Sequence, residues 1–215
     1  MPEEVVGTVN TAIVRAREER RRTIVAAASG LFAACGYRAA SMDEIACRAG
    51  ISKPVLYKSF SSKLELYLAV LHEAVQVLGA TLTAALASAR DMRSIVTATV
   101  AAVFDFAADN ARCAALLAGA ADAEEPAAQR MARQATMICT DALLRALAPT
   151  ASLRAERGWL IAAEIVGIAQ SCARDWVVTG KQLPRHEAVA TTAGLCWTGL
   201  AGVQLAPNRP VPAGD

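Results

Sequence analysis

Between Ser41 and Phe60 the chain sets out a geometry that few folds accommodate. Ser41-Met42-Asp43-Glu44 has the pattern of a capping box, in which serine and glutamate satisfy free N–H groups reciprocally at a helix start. That helix ends at Gly50, and a second begins after Ser52, with Pro54 in its first turn, where a missing N–H costs nothing. Ala46, Gly50 and Leu56 then fall at the spacing of a helix-turn-helix. A small residue lets two helices cross closely, a glycine accommodates the turn, and a leucine locks the second helix onto the core. The second helix is about seven residues long, too short to persist unless packed in such a unit. Its exposed positions, Ser52, Lys53, Tyr57 and Lys58, carry groups able to contact phosphate or base edges. An ordinary αα corner in an all-helical protein satisfies the same spacing.

Composition narrows what surrounds this segment. Alanine fills 49 of 215 positions and aromatic residues only 5%. Alanine favours helices and packs poorly in sheets, so the chain is expected to be all-α, and β-rich and collagen-like folds are excluded. With 54% hydrophobic and 20% charged residues, a disordered chain is excluded too. The net charge of +2 is unevenly spread. Residues 13–63 hold ten Lys/Arg against four Asp/Glu, and residues 67–215 hold twelve against thirteen. A basic block on a near-neutral remainder suggests a polyanion-binding module joined to something else; a solvated charged face is the plainer reading.

The first ten residues include acids and lack the apolar run of a signal peptide. The longest apolar stretches, Trp159–Val178 and Ala188–Ala206, are broken by Glu164, Gln170, Arg174, Asp175 and Gln204, which argues against a membrane span. The six cysteines (35, 47, 113, 139, 172, 196) show no CxxC and no nearby histidine pair, so they read as reduced, mostly buried thiols. The expected location is the cytoplasm, with no metal, cofactor or membrane partner.

Nine helices are expected. Residues 1–12 read as a weakly patterned tail. Ile24, Ala28, Leu31, Phe32 and Cys35 mark a first helix that stops at Gly36. After the two helices of the 41–60 segment, Ser62-Lys63-Leu64-Glu65 reads as a capping box opening a long fourth helix through about residue 89. Asp91 caps a fifth, a short sixth covers 110–118, and Glu125-Pro126 opens a seventh. The eighth runs from Ser152 to Val178, closed by Gly180, and the ninth from Pro184 to about Leu205. The segments expected are an arm (1–17), a domain of the first three helices (18–62, with its helix-turn-helix at 41–60), a larger helical domain (63–206) and a tail (207–215).

Residues 20–71 closely resemble the TetR family of bacterial transcription regulators. The resemblance is carried by Leu31-Phe32 through Gly36-Tyr37, by Ser41 to Gly50 with Ile45-Ala46 and Ala49-Gly50, by Ile51-Ser52-Lys53 with Leu56-Tyr57 and Phe60, and by Ser62-Lys63 with Leu66. It covers about a quarter of the chain. It implies that Ser41, Ser52, Lys53, Pro54, Tyr57 and Lys58 face DNA. It also implies that Lys63 sits at the start of the fourth helix beside the DNA backbone. Ser59 stands where the family often has histidine or tyrosine, so no DNA role is carried over to it. The run Arg15, Arg17, Arg20, Arg21 and Arg22 is placed either on flanking phosphates and the minor groove or in solvent, and Arg22 is the candidate contact.

The larger half carries no HExxH, GxGxxG, Walker-type or GxSxG motif, and no catalytic residue is expected. The resemblance implies a small apolar effector there, with His72, Phe104, Leu117, Met137, Glu164 and Gln170 as candidate lining. Glu164 and Gln170 interrupt an apolar helix and either line a pocket or hydrogen-bond within the core. The last two helices are rich in small residues and tryptophan, and the family dimerises through them. Trp159, Ala163, Ala190, Ala193, Gly194 and Trp197 are the candidate interface. The function expected is a homodimeric repressor of a palindromic operator in double-stranded DNA, released when an effector changes the angle of the fourth helix. A thiol-based redox sensor on the same fold, and an enzyme or small-molecule-binding protein, are the alternatives.

Overall fold

The computed structural model describes residues 3–148 and 155–205. Among these there are nine α-helices and no strand: α1 (Glu3–Ala39), α2 (Met42–Arg48), α3 (Lys53–Ser59), α4 (Lys63–Leu86), α5 (Met92–Asp109), α6 (Ala111–Ala121), α7 (Pro126–Leu147), α8 (Ala155–Val178) and α9 (Arg185–Leu205). The protein is all-α. Helix starts and stops follow local chemistry. The Asp91 side chain accepts from the Ser94 N–H at 2.9 Å while Ser94 returns a bond to the cap backbone, a full capping box. Pro126 opens α7 at a position that needs no N–H.

Two expectations about helix ends are corrected. α1 begins at Glu3, so residues 3–12 are helical where a tail was expected, and helix covers most of the arm placed at 1–17. The expected stop at Gly36 is present: its φ of 79° and ψ of 168° break the helical path, and a short further turn reaches Ala39. The two capping boxes around the helix-turn-helix are half formed. The Ser41 hydroxyl accepts from the Glu44 N–H at 3.0 Å, but the Glu44 carboxylate turns to Arg48 instead. The Ser62 hydroxyl accepts from the Glu65 N–H at 3.0 Å, and the Glu65 carboxylate takes the N–H and hydroxyl of Ser61, each at 2.7 Å. Those bonds hold the Glu65 carboxyl below its ordinary pKa. Ser152 and the tail 207–215 lie outside the described residues.

Packing divides the chain into two units whose limits fall within α4 and α7. The first takes the described residues up to Val77 together with Ala111–Arg133; the second takes Leu78–Asn110 and the described residues from Gln134 onward. In the first unit α1 packs on α2 and α6, and α2 on α3. Ile24, Leu31, Phe32, Ile45, Leu56, Phe60, Leu66 and Leu71 form its core. In the second, α5 packs on α8 and α9, and α8 on α9. There the Phe104 and Trp176 rings lie 5.6 Å apart, and the Trp176 indole N–H donates to the Leu183 carbonyl at 2.7 Å. Arg185 ties the first turn of α9 to Asp105 and Asp109 of α5, at 3.2 Å each.

α4 is long and apolar enough to cross a membrane by length and composition. Its side chains at 66, 67, 70, 71, 74, 75, 78 and 82 are buried, at the three- and four-residue steps of a core-facing helix, while His72, Glu73 and Gln76 are exposed.

Candidate DNA-binding surface

The turn between α2 and α3 is closed by a glycine that no other residue replaces without strain. Gly50 sits at φ 65°. Its N–H donates to Cys47 at 3.1 Å, and the Ile51 N–H donates to Ala46 at 3.0 Å, the paired bonds of a Schellman motif. Ala46 is buried where the two helices cross. α3 is seven residues long and is held by Leu56, which is fully buried, and by Phe60 just beyond its end. Burying such a leucine contributes about 1.5–3 kcal/mol, which an isolated helix of this length lacks.

With Leu56 facing inward, Ser52, Lys53, Pro54, Tyr57 and Lys58 are all exposed. The i, i+4 steps from 53 to 57 and from 54 to 58 place them on one side of α3. Ser52 precedes the helix but makes no side-chain cap bond, which leaves its hydroxyl outward. The Lys53 ammonium lies 2.7 Å from an Asp43 oxygen, and that hydrogen bond and charge raise its pKa. Lys58 has no ion-pair partner among the described residues. The Ser59 hydroxyl turns back to the Val55 carbonyl at 3.2 Å, so it is spent within the helix.

Two cations of this region, Lys63 and Arg21, make bonds within the frame. The Lys63 ammonium donates to the carbonyls of Arg38 at 3.2 Å and Ala40 at 3.1 Å, and lies 4.7 Å from the Tyr37 ring centre. From the first position of α4 it closes the end of α1. Arg21 donates to the Ser59 carbonyl at 3.2 Å and covers the Phe60 ring at 4.1 Å, pinning the end of α3 to α1. Arg22 is exposed in a groove of α1 and α4 that Arg21, Glu18, Glu65, His72 and Glu73 also line. Asp43, Arg21 and Phe60 were missed as positioning residues. Their partners lie ten to thirty-nine residues away, where sequence spacing carries no signal.

The six candidate ligand residues divide between the two units. His72 is exposed and Leu117 is buried in the first unit. Phe104, Met137, Glu164 and Gln170 belong to the second. There Phe104 is core, Met137 and Glu164 are exposed, and the Gln170 carbonyl accepts from Thr136 at 3.1 Å. Of the interface candidates, Trp159, Ala190 and Gly194 are exposed and Ala163 and Trp197 half-buried, but Ala193 is only 5% exposed and belongs to the core of its own unit. What the sequence reading overlooked are large apolar side chains in the open. Leu160 is 54% and Leu195 64% exposed, beside a groove of about 580 Å³ that Ile161, Ile168 and Gly199 also line. Burial raises the thiol pKa of Cys113, Cys196 and Cys139, the last to about 12; Cys35 and Cys47 are exposed.

A short, polar helix held outward by a buried leucine and a glycine turn defines a helix-turn-helix transcriptional regulator. Comparison with known proteins gives the family. The family model for bacterial regulatory proteins of the tetR family matches residues 24–70. The chain is 41% identical over 189 residues to the HTH-type transcriptional activator FasR of Mycolicibacterium smegmatis, spanning 88% of this chain and 86% of that protein. The protein belongs to the TetR family. Among solved structures, a TetR-family transcriptional regulator from Streptomyces coelicolor matches with a TM-score of 0.71 at 25% identity, over 86% of this chain and 82% of that one. FadR from Bacillus subtilis, solved in complex with stearoyl-CoA, shares the fold with a TM-score of 0.68 at 15% identity, over 83% of this chain and 98% of that one.

Proposed function

We propose that this protein acts as a homodimer on a palindromic operator in double-stranded DNA and is switched by a small apolar effector. The observation that carries the reading is the presentation of α3, five outward residues on one side with Leu56 buried on the other. Lys58 and Lys53 reach the major groove, Tyr57 gives its hydroxyl to a phosphate, and Ser41, Ser52 and Pro54 approach the backbone. The Lys53–Asp43 pair is exposed, so a phosphate replaces Asp43 at little cost. Lys63 and Arg21 hold the unit in shape.

One recognition helix reads too few base pairs, and a two-fold dimer supplies a second about 34–36 Å away. The exposed Trp159, Leu160 and Leu195 support α8 and α9 as the partner-facing surface, and a Cβ at Gly194 or Gly199 meets nothing within 4 Å. In this reading DNA binding falls up to residue 62 and effector binding and dimerisation in 63–206. Long-chain acyl compounds are the first effector class to test, because a protein of this fold is solved with stearoyl-CoA. Repression is the family-based expectation, in a bacterial cytoplasm. Activation is the second reading, favoured by the name of the 41% identical relative. Selection from random duplexes tests the core of the proposal: the enriched site has two inverted half-sites one helical turn apart, and enrichment of a single half-site contradicts the dimeric reading.

A further inference from the structure

The first unit contains a half-open cavity of about 730 Å³, bounded by the end of α1, Tyr67 of α4, α6 and the turn before α7. It shares no residue with the exposed side of α3 or with the α8–α9 groove. Its floor is aromatic: the Tyr37 and Tyr67 rings stack with centres 4.8 Å apart, and Phe32 meets Tyr67 edge-on at 4.9 Å. Its rim is acidic, with Asp122, Glu124 and Glu125 against Arg38, the one cation that lines it; Lys63 lies beside it, over the Tyr37 ring. Arg38 pairs with Glu124, which leaves Asp122 and Glu125 without an ion pair among the described residues, Glu125 accepting the Ala127 N–H at 3.4 Å. Burial, and then the charge of Glu125, raise the pKa of the Tyr37 phenol.

Tyr67 supplies an independent sign of a ligand. It is 3% exposed, yet its hydroxyl has no hydrogen-bond partner among the described residues. No side-chain N or O atom shut off from solvent lacks a partner there, so this hydroxyl meets open space, and the space Tyr67 lines is the cavity. A nearly buried ring thus presents one polar atom that packing does not use.

We propose that this cavity binds an organic cation, an amine or amidinium with an apolar body. The body lies on Phe32, Ala115 and Leu116, the Tyr67 hydroxyl accepts from a ligand N–H, and the charged end faces Asp122 and Glu125. An anion meets three carboxylates there. A bare metal ion finds no cluster of three or more ligating side chains among the described residues. The volume lies in the range of sites for drug-sized molecules.

Calorimetry on the full chain with benzamidine, benzamide and benzoate, which share a shape and differ in charge, tests this without DNA. Benzamidine is expected to bind with a Kd of about 1 mM or tighter. It should bind about tenfold more tightly than benzamide, with benzoate weakest. Tyr67→Phe keeps the ring stack and weakens benzamidine severalfold; the double change Asp122→Asn with Glu125→Gln abolishes the preference for the amidine. Melting by circular dichroism confirms that both variants fold. Equal binding of the three probes, no benzamidine binding at that concentration, or binding that both variants leave unchanged overturns the proposal.

Discussion

The α2–α3 surface and the α8–α9 surface both display side chains that a solitary protomer has no use for, and their chemistry is opposite. The first offers lysines, a tyrosine and serines on a scaffold fixed by one buried leucine. The second offers leucines and a tryptophan beside glycines whose missing side chains leave open space. The first suits a polyanion and the second another apolar face, so the two surfaces answer different perturbations. A change that destroys one should leave the other folded.

The largest effect expected is that of Ala193→Arg. An arginine at a buried alanine destabilises the second unit by about 4–5 kcal/mol or more, read as loss of the near-ultraviolet circular dichroism of its tryptophans. Leu195→Arg, two residues on and exposed, should leave that signal intact. It should weaken the dimer by about 3–5 kcal/mol, seen as a monomer in sedimentation, because an unpaired charge is buried between copies. If Leu195→Arg sediments as a dimer with normal operator binding, the interface lies elsewhere.

Leu56→Ala sharpens the comparison from the other side. It should cost about 2–5 kcal/mol in urea unfolding and abolish operator binding, while the dimer persists. Lys58→Ala and Lys63→Ala then separate contact from support. The first should lose about 1–3 kcal/mol of DNA affinity without changing stability. The second should lose about 1 kcal/mol of stability through the freed carbonyls of Arg38 and Ala40, with base preference unchanged. Equal melting of the two variants would return Lys63 to the DNA surface.

Helix number and punctuation were legible because they rest on local chemistry. Gly36, Gly50, Gly180 and Asp91 act within five residues of themselves. The start of α1 was misjudged although Val5, Val6, Val9, Ala12 and Ile13 stand at helical spacing, because no cap residue announces it. The capping boxes were half right because Arg48 and Ser61 compete for the glutamates. The supporting bonds of Lys63 were not legible because the carbonyls it serves lie 25 and 23 residues upstream. On α9 apolar and small residues run around much of the circumference, so periodicity could not separate Ala193 from Gly194, which one step of about 100° turns from core to surface.

The central claim is that exposed lysines on paired recognition helices bind a duplex through its phosphates, and the salt dependence of operator affinity measures it directly. With six to ten phosphate contacts per dimer, a plot of log Kobs against log salt concentration should be linear with a slope of about −5 to −9. Lys58→Ala should make that slope shallower by about one for each phosphate left without its lysine, and Lys63→Ala should leave it unchanged. A slope near zero for the unaltered protein would contradict the account.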